Sequence, residues 1–282
     1  MELRTAERKQ AKIKLGIQGP SGSGKTYSGL LLAFGMVQDW SKIAVIDTEN
    51  NSSNLYAHLG KFKVLHLDKP YTPERYIKAI ETCENASVEV IIIDSISHEW
   101  DGAGGILETH GNMTGNSFTN WNKVTPRHNA FVQKILQSPS HIIATVRTKQ
   151  DYVLSEKNGK MVPEKVGLKG VTRDGIDYEF TIVFDLDIKH SATSSKDRTG
   201  LYMDKPQFMI SEETGSKIRE WCESGTDPKT VVQEIYKTDT LEELKNLYHQ
   251  YPEFQKVLSS AFIKRKEELL RSTTNVIVEP EN

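Results

Sequence analysis

The stretch GPSGSGKT, from Gly19 to Thr26, constrains this chain more than any other. It fits the pattern G-x-x-x-x-G-K-[ST] and lies between an apolar segment, KIKLGIQ (12–18), and a helical one, TYSGLLLAFGMV (26–37). Strand, glycine-rich turn and helix in that order wrap successive backbone N–H groups around an anion, and side chains would block the approach. Gly19, Gly22 and Gly24 remove them. Pro20, Ser21 and Ser23 complete the loop, and Tyr27 belongs to the helix whose N-terminal dipole faces the same anion. Lys25 is placed to reach β- and γ-phosphates, and the Thr26 hydroxyl to ligate magnesium. The implied ligands are ATP and Mg2+.

Strands and helices alternate around this loop. Further strands are expected at 42–47, 62–67, 88–94 and 141–147, with helices at 73–85 and ending at 129–136. This pattern predicts an α/β fold with a mostly parallel central sheet flanked by helices. Residues 148–175 are polar, rich in Lys and Gly, and show no period. Strands are expected again at 177–188 and 200–203, and a helix at 212–223. A linker at 225–228 leads to two amphipathic helices, LEELKNLYHQY and EFQKVLSSAFIKRKEELL. Thr240 and Glu243 have capping-box spacing at the start of the first. The expected division is an ATPase domain over 1–224, a small helical appendage over 229–272 and a flexible tail over 273–282.

Two strands end in carboxylates. KIAVID runs into Asp47, Thr48 and Glu49, and VEVIIID ends at Asp94. The strand before Asp94 is a continuous apolar run, which predicts a central place beside the phosphate-loop strand and makes Asp94 the candidate metal ligand with Thr26. Hydrolysis needs a second carboxylate to orient the attacking water. Glu49 suits that role, or that of an acid stabilising the turn after it, and spacing leaves both open. Asp47 reads as structural.

The phosphate loop, the Lys25-to-Glu49 spacing, VIDTENNSSNLYAHLG and VEVIIIDSIS together resemble the ATPase core of RecA-type recombinases. More closely, they resemble the short phage-encoded RecA-core proteins grouped with single-strand annealing proteins. The resemblance spans residues 12 to about 205. It implies a RecA-like P-loop NTPase core in which Glu49 activates water, Tyr56 stacks on adenine and Asp94 serves the metal. Thr145 falls where that family has a glutamine sensing the γ-phosphate. The implied partners are single-stranded DNA, further copies of the chain, and a phage recombination or replication protein. The family's aromatic polymerisation anchor is not visible in residues 1–11.

Two DNA-binding loops are implied at 99–122 and 148–172. The first carries Trp100, Phe118 and Trp121, suited to base stacking or to a lid packed on the core. From Arg147 to Arg173, seven Lys or Arg stand against three Asp or Glu. Arg147, Lys149, Lys165, Lys169 and Arg173 are the candidates to track a phosphate backbone, a solvated basic loop being the alternative. In KHSATSSKDRTG, Lys196 and Arg198 are either fingers toward a neighbouring ATP or the solvated tip of a hairpin.

A net charge of −2 gives no global field to draw in nucleic acid, so any such contact must be local. Cys83 and Cys222 are far apart and form no CxxC pair, which suits a reducing cytoplasm; the phage resemblance implies that of a bacterial host. The charged start MELRTAERKQAKIK is not a signal peptide, and the longest apolar run, LLLAFGMV, is too short to span a bilayer, so no membrane role is expected. The eight histidines show no metal-ligand spacing. Two other functions compete with a DNA-stimulated ATPase. A nucleotide-gated scaffold would recruit a phage protein through the C-terminal helices. A small-molecule kinase would need an acceptor lid with clustered arginines, which the sequence lacks.

Overall fold

The apolar runs that end at Gly19, Asp47 and Asp94 become buried parallel strands in the computed structural model, which describes residues 12–157, 160–223 and 228–275. Outside the described residues lie the segment before 12, most of the expected linker, the tail beyond 275 and the Lys165 side chain. The chain divides into two compact units: Lys12–Trp221, and a smaller one whose described part begins at Cys222.

In the larger unit the strands are β1 (Lys14–Gly19), β2 (Ile43–Asp47), β3 (Lys63–His66), β4 (Val90–Asp94), β5 (His141–Lys157), β6 (Lys160–Gly170), β7 (Ile182–Leu186), β8 (Ser191–Asp197) and β9 (Phe208–Met209). The sheet order is β3-β2-β4-β5-β1-β7-β8-β9, with β6 paired only to β5. From β3 to β7 neighbouring strands are parallel, and β7–β8, β8–β9 and β5–β6 are antiparallel. Helices α1 (Lys25–Val37), α2 (Pro73–Asn85) and α5 (Ser117–Gln137) provide the long crossovers that parallel pairing demands. The central strands are covered on both faces: Leu15, Ile17, Val90 to Ile93, Ile142 and Ile143 are fully buried. Each such aliphatic side chain contributes about 1.5–3 kcal/mol relative to exposure.

The sequence misplaces β4. It is not beside β1, because β5 lies between them, with Ile91 paired to Ile142 and Lys14 paired to the same Ile142 from the other side. Continuous burial marks a central strand without saying which neighbours it has.

The stretch without a period, 148–170, is the hairpin of β5 and β6. Where its side chains are described, at 148–151 and 167–170, none is buried, so no apolar alternation exists to read. The expected loop at 99–122 is largely helical: α3 (Ser97–Asp101), α4 (Ile106–Gly111) and the start of α5, where the Asn116 side chain accepts from Phe118 N–H at 2.8 Å. The expected strand over 177–188 opens instead with the helical turn α6 (Ile176–Glu179) after Gly175, which holds φ 94°. The GLYM segment is a turn rather than a strand. The Asp197 carboxylate accepts from the N–H groups of Thr199 at 2.6 Å and Tyr202 at 2.7 Å, which folds the chain back there. Helix α7 (Glu212–Glu223) closes the unit, and Gly215 is required where the chain meets the Leu32 carbonyl, 2.1 Å from where its Cβ would stand.

The smaller unit contains α8 (Pro228–Lys237), a helix the sequence reading passed over, then α9 (Leu241–Gln250) and α10 (Ser259–Asn275). Val231, Ile235, Leu244, Phe254, Phe262 and Leu269 form its core. The N-cap half of the box at α9 forms, with Thr240 Oγ1 accepting from Glu243 N–H at 3.1 Å, while the Glu243 carboxylate reaches one residue further back and accepts from Asp239 N–H at 2.8 Å. Such caps are worth about 1 kcal/mol. No helix among the described residues is long and apolar enough to cross a membrane.

Candidate functional site

Ligands of open parallel sheets bind beyond the carboxyl ends of the strands. Here those ends carry Gly19, Asp47, Asp94 and, further along β5, Thr145 and Arg147. A cleft of about 790 Å3 opens over them, lined by Lys25, Thr26, Glu49, Tyr56, Asp94 and Arg147 among others.

The phosphate loop forms one wall. Gly22 and Gly24 hold φ 80° and 85°, the left-handed region that glycine enters without penalty. A Cβ on Gly24 would also stand 3.1 Å from the His190 ring. Pro20 accepts from Ser23 N–H at 3.2 Å, closing the turn, and Ser21 lines the cleft. The Lys25 ammonium donates to the carbonyls of Gly19 and Pro20, both at 2.9 Å. Burial pulls its pKa down, against the opposing pull of Asp94 and Glu49.

Asp47 and Asp94 are register partners at the ends of β2 and β4, yet they serve different neighbours. Asp47 accepts from Glu49 N–H at 2.7 Å, from Ser53 N–H at 2.9 Å and from the Ser53 hydroxyl at 2.5 Å, so it shapes the turn that presents Glu49. Asp94 accepts from the Thr26 hydroxyl at 2.5 Å through Oδ2 and from the Thr145 hydroxyl at 2.5 Å through Oδ1. Burial raises its pKa, and the two hydroxyls oppose the rise. Thr145 is fully buried, and its hydroxyl is spent on Asp94 rather than held out to a phosphate.

Glu49 stands apart from this pair. Burial pushes its carboxyl up, but the hydrogen-bonded Arg147 guanidinium outweighs burial and holds it below the ordinary carboxylate range. Arg147 Nε donates to Glu49 Oε1 at 2.7 Å, Nη2 donates to Oε2, and the Ser95 hydroxyl donates to Oε1 at 3.1 Å. Arg147, expected on a DNA loop, is thus placed in the nucleotide cleft. Tyr27 and Tyr56 face each other with ring centroids 5.8 Å apart and supply an aromatic wall.

Magnesium fits this donor set. Thr26 and Asp94 supply adjacent hard oxygens, and Mg2+ takes one or two carboxylates and completes its shell from phosphates and water. When bound, it supplies charge neutralisation on the phosphates. Thr148 Oγ1 is buried with no hydrogen-bond partner and its residue lines the cleft, a further polar group that suits a polar ligand.

His190 is a site residue that sequence reasoning missed. It holds φ 67° in the β7–β8 turn, and its Nδ1 donates to the Ser23 carbonyl at 3.1 Å. Its place on the phosphate loop depends on β7 lying beside β1, a pairing that carries no local signal.

A second cleft, of about 550 Å3, is lined by Trp100, Trp121, Lys149, Lys169 and Arg173, with Asp101, Asp151 and Asp174 among its other walls. The two indoles stack at 5.9 Å, and His110 stacks on Trp121 at 4.1 Å. Lys169 is paired with Asp174 at 2.8 Å, and Arg173 donates to Asn129 at 3.4 Å. The described ends of the expected basic loop, Lys149, Asp151 and Lys169, thus lie in a cleft of mixed charge. Lys196 and Arg198 are not at a hairpin tip. Lys196 lies within β8 and donates to the carbonyls of Asp177, at 2.9 Å, and Tyr178, and Arg198 donates to Tyr178 at 3.0 Å.

A glycine-rich turn between β1 and α1, with a buried aspartate on its threonine and a second carboxylate standing off, defines a P-loop nucleotide-binding domain. A family model described as an AAA domain (AAA_24) matches residues 11–217, and the chain belongs to that family. No curated protein matches the chain.

Proposed function

We propose that the chain binds ATP with magnesium, hydrolyses it, and couples the cycle to single-stranded DNA in recombination or replication, as the RecA-type resemblance implies. The observation that carries the hydrolytic part is the separation of two carboxylates in one cleft: Asp94 is committed to Thr26, and Glu49 is committed to neither the loop nor the metal pair. Lys25 stabilises the charge on the β- and γ-phosphates, and Glu49 orients the attacking water. Tyr56 and Tyr27 supply the surface on which adenine rests. The DNA part is supported by the cleft at Trp100 and Trp121, where indole surface suits a strand's bases and Lys149 and Arg173 suit its phosphates, against the carboxylates of Asp101, Asp151 and Asp174 in the same walls. ATP would sit between copies of the chain.

Steady-state hydrolysis with magnesium, with and without single-stranded DNA, tests the proposal alongside Lys25→Ala and Glu49→Gln. The expected result is strand-stimulated turnover lost in both variants. Turnover that ignores DNA removes the coupling, and turnover that survives Glu49→Gln removes the assigned water-orienting residue. A second reading, a nucleotide-gated scaffold, is favoured by one observation in the smaller unit. Leu241, Leu244, Tyr248, Phe262 and Ile263 line an apolar groove flanked by Lys245 and Lys266. Saturable ATP binding with no DNA effect supports that reading.

A further inference from the structure

The fork between Arg147 and Glu49 joins residues 98 positions apart in sequence, and it engages both oxygens of the carboxylate assigned to water. A carboxylate so engaged has little lone-pair capacity left for a water molecule. Yet the pair is open to solvent on the arginine side, where the Arg147 side chain is 45% exposed against 23% for Glu49, so a ligand entering the cleft can compete for the guanidinium.

The surroundings allow the guanidinium to move while the rest stays fixed. The Arg147 N–H donates to the Ser97 hydroxyl at 2.9 Å, and its carbonyl accepts from Val171 N–H at 2.7 Å, so its backbone is held on both sides. The Ser95 hydroxyl, fully buried, keeps its hold on Glu49 Oε1 when the guanidinium leaves. Arg147 and Lys25 line the same cleft, and Arg147 is the register partner of Gly19, the first residue of the phosphate loop. A γ-phosphate cradled by that loop carries more charge than a carboxylate and matches the guanidinium fork equally well.

We infer that Arg147 is a positioning residue that exchanges between Glu49 and the γ-phosphate of ATP, so that Glu49 is released to orient water only while a γ-phosphate is present. The inference rests on reading the cleft as an ATP-hydrolysing site. It makes Arg147 the residue that distinguishes ATP from ADP, the place left open by the committed hydroxyl of Thr145. The exchange is a movement of hydrogen bonds, with no proton or covalent bond transferred.

The position of Arg147 extends the consequence along β5. Side chains two apart on a strand share a face, so Thr145, Arg147, Lys149 and Asp151 form one row. The row begins on Asp94 and ends in the aromatic cleft, where Lys149 and Asp151 are wall residues.

Equilibrium binding of ADP and of a non-hydrolysable ATP analogue, each with magnesium, tests the exchange in the unaltered chain, Arg147→Gln and Arg147→Lys, with thermal melting as a folding control. The expected result for Arg147→Gln is about tenfold weaker binding of the analogue, with ADP binding within about twofold of the unaltered chain, as loss of one charged hydrogen-bonding group predicts. Arg147→Lys should recover part of the loss. Equal weakening of both nucleotides would make Arg147 a fixed support of the cleft and overturn the exchange. Unchanged binding of both would show that the guanidinium never reaches the γ-phosphate. Either result leaves the hydrolytic proposal standing, whereas an unaltered chain that binds neither nucleotide overturns both.

Discussion

The two ends of the same parallel strands carry polar groups of opposite character. At the amino end, Lys14 donates to the carbonyls of Ser138 and Ser140 at 2.8 and 2.6 Å, and His141 Nδ1 accepts from Ile13 N–H at 3.1 Å. These groups turn inward and are satisfied by the backbone. At the carboxyl end, Lys25, Glu49 and Arg147 make bonds just as short but line an open cleft. Burial and pKa displacement mark both ends, so neither by itself identifies a site. What separates them is whether the partners can be exchanged for a ligand. Substitutions at the carboxyl end should therefore change chemistry and spare the fold, and those at the amino end should do the reverse.

The largest test is Glu49→Gln, which removes the water-orienting carboxylate and keeps its shape. Turnover should fall by about a thousandfold, or about 4 kcal/mol in barrier, with melting temperature nearly unchanged. A large drop in melting temperature would break the contrast.

Next comes acid. Burial drives the His141 pKa from 6.5 down to about 3. Between those values the unfolded chain binds a proton that the folded chain refuses, so stability is lost as pH falls from about 6.5 toward 3. By pH 4 the loss from this residue is roughly 3 kcal/mol. His141→Gln, neutral throughout and still an acceptor, should lack that share of the acid sensitivity in denaturant titrations at pH 7 and pH 4.

A smaller effect belongs to Lys25→Ala. ATP affinity should fall by about a hundredfold, about 2.7 kcal/mol, by calorimetry, and stability should hold, because the half-buried cation serves the ligand rather than the core.

The smallest is alkaline. Burial lowers Lys14 from 10.5 to about 8, so between those values the unfolded chain holds the extra proton and stability rises with pH. Lys14→Met should lose that rise, a difference of roughly 2 kcal/mol between pH 8 and pH 9.5, read from the same titrations.

The carboxyl end was legible in the sequence where chemistry depends on neighbours along the chain. The phosphate loop needs a fixed spacing of glycines, and Asp94 and Glu49 each follow an apolar strand. Whatever depends on sheet order was not legible. The insertion of β5 between β4 and β1 puts Thr145 on Asp94 and Arg147 on Glu49, and nothing near those residues reports it. His190 reaches the phosphate loop for the same reason. The β5–β6 hairpin was invisible because its described side chains are not buried, and periodicity records burial rather than strand pairing.

The row on β5 has a consequence for which changes of length the chain can accept. Thr145, Arg147 and Lys149 occupy one face only because a single residue separates each from the next. Adding or deleting one residue at 146 or 148 would turn everything beyond it to the opposite face. Exchange of one side chain for another at those two positions leaves the row in step. Between Thr145 and Asp151 the spacing is therefore under tight constraint, and related chains that keep this site should keep the count there.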